Sequence, residues 1–109
     1  MPRPQLDDDG AAVTLDLHGA TVEEALRLAR SVVVEAARHG RSTVRLVHGT
    51  STTDAGATRT IKTALLQALE DGEYDRHVTT DVRMEGMIIL GLAPAPSPVR
   101  SRLRLSDLQ

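Results

Sequence analysis

Between residues 13 and 47 the spacing of apolar residues changes from two to about three and a half and back again. Val13, Leu15 and Leu17 alternate with Thr14 and Asp16, the period of a strand with one buried face. Val22, Ala25, Leu26, Ala29, Val32, Val33 and Ala36 then form a helical stripe. Thr21 with Glu24 has capping-box spacing at its start, and Gly40 stands at its end. Thr43 to Val47 reads as a second strand. A strand, a helix and a strand at this spacing close as a right-handed crossover, so the two strands run parallel.

The rest of the chain extends this unit. Residues 58–70 carry Ile61, Leu65, Ala68 and Leu69 on one helical face, with Gly72 beyond. His77 to Met84 and Met87 to Leu92 read as two strands joined by a tight hairpin at Glu85-Gly86. The expected fold is an α/β two-layer βαβαββ sandwich with a mixed four-stranded sheet over residues 12–92. Residues 1–11, with two prolines and three aspartates, read as a disordered segment. Residues 93–109 read as a Pro-rich linker and a basic tail holding Arg100, Arg102 and Arg104, either an added edge strand or a loose end.

Composition narrows the chemistry. The 109 residues suit one domain, and with Tyr74 the lone aromatic the core must be aliphatic. Without cysteine there are no disulfides, thiolate metal sites or cysteine nucleophiles. The first residues have no apolar signal core, and no apolar run approaches membrane-spanning length, so a cytoplasmic protein without membrane contact is expected. A net charge of −2 makes the whole chain a poor electrostatic magnet for phosphate backbones.

Both parallel strands end in a His-Gly step, His18-Gly19 and His48-Gly49. Ligands in open α/β sheets tend to sit beyond the carboxyl ends of parallel strands. Neighbouring strands lie about 5 Å apart, so both imidazoles and Asp16 are expected at one crevice. Gly49 and the hydroxyls of Thr50, Ser51, Thr52 and Thr53 offer a loop that can approach a phosphate.

Leu15-Asp16-Leu17-His18-Gly19 resembles the Leu-Asp-Leu-His-Gly signature of the Smr domain, the small MutS-related module, here as a stand-alone form. Val47-His48-Gly49 is similar to that family's second motif, a strand ending in His-Gly-x-Gly, although Thr50 and Ser51 stand where a basic residue and a glycine are usual. The resemblance covers roughly residues 13–92. It implies a fold like the C-terminal domain of bacterial translation initiation factor three. It also implies nucleic-acid binding, often with endonuclease or nicking activity on DNA or RNA.

On that reading Asp16, His18 and His48 are the catalytic candidates. Two imidazoles with reference pKa near 6.5 supply a base and an acid near neutral pH, with the assignment between them open. Asp16 orients His18 or holds a cation. Gly19, Arg45, Gly49, Thr50, Ser51, Arg59 and Lys62 are candidates for contact with the nucleic acid. Two histidines and a carboxylate also allow a divalent cation, which the spacing does not demand. A nicking enzyme of this size works as a monomer, and Met87 to Leu92 would support a weak dimer if exposed. The alternative is a non-catalytic module that grips nucleic acid or a partner protein. His39 and His77 are expected outside the site and solvated.

Overall fold

The computed structural model describes residues 3–49, 60–93 and 101–108. Its elements are β1 (Gln5–Asp8), β2 (Ala12–Asp16), α1 (Val22–Arg38), β3 (Thr43–Val47), α2 (Ile61–Glu70), β4 (Val78–Arg83), β5 (Met87–Leu92) and a 3-10 turn (Leu105–Leu108). One sheet runs in the order β1-β2-β3-β5-β4. β2 and β3 are parallel, with Leu15 beside Leu46 and Asp16 beside Val47, and the other pairs are antiparallel.

The apolar periods place the two layers as expected. Val13, Leu15, Val44, Leu46, Ile88 and Leu90 face inward and form one core with Leu28, Val32 and Val33 of α1 and Leu65 of α2. The opposite sheet face carries Thr14, Asp16, Arg45 and Ile89, which remain partly open. Thr21 caps α1 by accepting from the Glu24 amide at 3.1 Å. At α2 the box is reciprocal between Thr60 and Thr63, so the helix starts a little later than its apolar spacing implied.

The two ends of the chain differ from expectation. Residues 5–8 are a strand rather than a disordered lead-in, so the sheet has five strands instead of four. The cause is Asp8, whose carboxylate is fully buried against Arg41. Arg41 donates to it from Nε at 2.8 Å and from Nη2 at 3.0 Å. The amides of Gly10 and Leu103 donate to the same carboxylate at 2.9 and 2.7 Å.

That carboxylate also fixes the tail, which is neither an edge strand nor loose over the described residues 101–108. Arg41 Nη2 donates to the Ser101 carbonyl, and Arg102 donates to the Asp8 carbonyl. Leu103 and Leu108 enter the core. The proposed linker at 94–100, including Arg100, lies outside the described residues. Among the described residues, no helix is long and apolar enough to cross a membrane.

Candidate functional site

The parallel pairing of β2 and β3 brings both His-Gly steps to one end of the sheet. The ladder continues past the strands, with the Leu17 amide donating to the Val47 carbonyl at 2.8 Å. Beyond this point the chain turns at Gly19 and Gly49, both with positive φ, of 85° and 77°.

Asp16 organises the first step. Its Oδ1 accepts from the His18 backbone amide at 3.0 Å and from His18 Nδ1 at 2.5 Å. One carboxylate oxygen therefore sets both the turn and the ring. The pair remains open to solvent, with side-chain exposures of 52% for His18 and 39% for Asp16. With Nδ1 engaged, Nε2 is the ring atom left for chemistry. It lies against Gly49, where an added Cβ would come within 2.8 Å of it.

His48 is a different kind of histidine. It is buried, and its Nδ1–H donates to the Gly49 carbonyl at 2.7 Å. Its Nε2 is buried with no hydrogen-bond partner among the described residues. Burial lowers its pKa from 6.5, the nearby charges of Lys62 and His18 push the same way, and the Gly49 carbonyl opposes them. The ring is thus a neutral Nδ1–H tautomer near pH 7, carrying a bare lone pair on Nε2.

The two rings bracket Gly49 but are not equivalent. His18 presents a free nitrogen to solvent, and His48 is locked into the turn.

The remaining candidates are spread around this end. Gly19 follows His18 directly. Lys62 lies in the first turn of α2, near enough for its charge to act on His48. Arg45 sits at mid-strand on the open face, with its Nη1 3.4 Å from Thr14 Oγ1. Thr50, Ser51 and Arg59 lie outside the described residues, as do Thr52 and Thr53.

The sequence reading missed Gly86, although it placed the hairpin there. The Gly86 carbonyl accepts from the amides of both His48 and Gly49, at 3.0 and 3.1 Å, and pins the second step to the β4–β5 hairpin. Among the described residues no three His, Asp or Glu side chains converge in a group able to hold a metal ion. His39, expected to be solvated, is half-buried and bonds through Nδ1 to the Glu35 carbonyl at the end of α1.

Known proteins place this geometry in a family. No curated protein matches the chain. Among solved structures, the Smr domain of Thermus thermophilus MutS2 is 29% identical, with a TM-score of 0.56 over 77% of this chain and 99% of its own. The family model of the Smr domain matches residues 15–86, which run from the first His-Gly motif to the hairpin glycine. The chain belongs to the Smr domain family.

Proposed function

We propose that this Smr domain binds DNA or RNA at the carboxyl ends of β2 and β3 and cleaves a phosphodiester there, in the cytoplasm. The Asp16–His18 pair carries the reading: an exposed imidazole with one nitrogen fixed by a carboxylate and the other free beside a glycine turn.

Cleavage needs a proton taken from the attacking oxygen, a proton given to the leaving oxygen, and compensation for charge on the phosphate. His18 Nε2 takes the proton of the attacking water as the new P–O bond forms and gives it to the leaving oxygen as the ester bond breaks. Asp16 holds the tautomer that leaves this nitrogen available and faces the positive charge that forms when it is protonated, the role of the carboxylate in a catalytic triad. His48 stays neutral and positions the Gly49 turn over which the phosphate passes. Lys62 supplies positive charge to the phosphate, and Gly19 and Gly49 let the backbone approach it closely.

Arg45 holds the strand further along the open face.

The test uses supercoiled plasmid and structured RNA, each with and without divalent ions. The wild-type chain is compared with His18→Ala, Asp16→Asn and His48→Ala. Nicking or cleavage that falls at least a hundredfold in His18→Ala is expected. Undiminished cleavage in both His18→Ala and Asp16→Asn removes the assignment. Salt-sensitive binding without any cleavage favours the module that only grips its partner, a reading to which Thr50 and Ser51 in the second motif already lend weight.

A further inference from the structure

A cavity of about 350 Å³ opens next to the strand-end site, with Gly19 in its wall. This volume lies within the range of small-ligand pockets, roughly 300–1,000 Å³. Its apolar lining comes from Pro4, Leu28 of α1 and Leu105 of the 3-10 turn, and its charged lining from Arg3, Arg27 and Glu24.

Arg27 follows Glu24 by three residues on α1, a spacing that often makes an ion pair, yet among the described residues no ion pair joins the two. Among the described residues neither Arg3 nor Arg27 is bound to a carboxylate, and both are exposed.

Two exposed guanidiniums against a single carboxylate, with apolar side chains in the same cavity, match a ligand with a phosphate at one end and a flat apolar body at the other. Guanidinium is the side chain best shaped to grip phosphate oxygens in pairs. The apolar wall takes the face of a base. Glu24, also in the lining, is a hydrogen-bond acceptor of the kind a base amino group needs.

Arg3, Pro4 and Leu105 fall outside the residues matched by the family model, 15–86. Leu105 is held in place because Asp8 anchors Leu103 two residues before it.

We propose that this cavity is a nucleotide subsite: it takes one nucleotide of the strand that crosses the His18 site, with Arg3 and Arg27 on its phosphate and the base against Leu28 and Leu105. The assignment of the occupant to a strand rests on the nucleic-acid reading above. The subsite gives the chain a reason to fold its two ends over the edge of the domain. It lies one residue beyond His18, so it sets which phosphate is presented to that ring.

The experiment uses the full chain, labelled with 15N and titrated with each of the four common ribonucleoside 5′-monophosphates and, separately, with inorganic phosphate. Monophosphates are expected to move the amide signals of Gly19, Arg27, Leu28 and Leu105, and inorganic phosphate to leave Leu105 unmoved. In parallel, fluorescent single-stranded RNA and DNA are bound across a salt series. Arg3→Ala and Arg27→Ala are each expected to weaken binding about tenfold and to reduce the salt slope by about one. The melting temperature should hold, because both side chains are exposed.

His18→Ala is expected to keep the nucleotide-induced shifts while losing cleavage, which separates subsite from chemistry. No cavity signal moved by any monophosphate overturns the subsite. So does strand binding that keeps its affinity and salt slope in both arginine variants. Monophosphates that shift the cavity signals in a chain that binds no strand overturn the strand occupant and the nucleic-acid reading with it, while leaving a site for free nucleotides.

Discussion

Two aspartates sit at opposite ends of the same short parallel pair, and each holds a cationic or ionisable partner. Asp8 and Arg41 lie where β2 and β3 begin, with side-chain exposures of 0% and 1%. Asp16 and His18 lie where they end, with exposures of 39% and 52%. At the first pair the carboxylate and guanidinium are met by backbone groups from the β1–β2 turn, the α1–β3 turn and the tail. At the second, the carboxylate is engaged but one ring nitrogen is left over. The saturated pair fastens the ends of the chain, and the unsaturated one leaves a ring nitrogen open.

The sharpest way to break the comparison is to remove one member of the buried pair. Arg41→Met leaves the Asp8 carboxylate buried without its counter-charge, which costs about 3–5 kcal/mol. For a domain of this size the melting temperature should fall by on the order of 10–20 °C, followed by circular dichroism. A drop under a few degrees would mean that the pair does not fasten the ends.

The pH dependence of the same pair is next in size. Burial alone raises the Asp8 pKa. The hydrogen bonds from Arg41 and from the Leu103 and Gly10 amides, with the charge of Arg41, outweigh burial and bring it from 3.8 down to about 2. A lowered carboxylate pKa stabilises the fold above pH 3.8, and the contribution is lost as pH falls from there through 2. It is worth about 2 kcal/mol. Melting temperatures between pH 5 and 2 should therefore fall less steeply in Asp8→Asn, from a lower starting value, than in the wild type.

These ends were the part of the fold least legible in the sequence. Asp7, Asp8 and Asp9 form a polar run with no apolar alternation, and Arg41 stands alone after a helix stop. Their pairing spans 33 residues, so no local pattern announces it. The central strands and α1 were legible because each announces itself by period and cap. The His-Gly steps were legible through family motifs and the parallel crossover. The unequal state of the two histidines was not, since the His48 step is pinned by the carbonyl of Gly86, which lies far along the chain. Gly86 gave only a turn signal, and its carbonyl finds the second step through a β3–β5 pairing remote in sequence.

At the reactive end the expected effects are smaller in stability. Gly49→Ala puts a side chain at φ +77° and within 2.8 Å of His18 Nε2. A cost of about 1–2 kcal/mol is expected in urea unfolding, with the His18 ring signals displaced. An unshifted ring would show that the glycine is needed for the turn alone.

Smaller again is the titration of His48. Its pKa is lowered by burial, so the neutral form stabilises the fold fully above pH 6.5, and the contribution is lost as pH falls from there through the folded value. Ring 15N shifts followed through a pH titration should show His48 as the Nδ1–H tautomer at pH 7 and protonating at a lower pH than an ordinary imidazole. A His48 ring still doubly protonated above pH 6.5 would contradict its burial in the turn.

The central claim is that Asp16 acts through His18, and a double-mutant cycle on cleavage tests it most directly. Rates are measured for the wild type, Asp16→Asn, His18→Ala and the double variant on one structured substrate. If the carboxylate works only by fixing the ring, the double variant cleaves as slowly as His18→Ala and no slower. Losses that multiply, or a wild-type chain that leaves the substrate intact, would contradict the account.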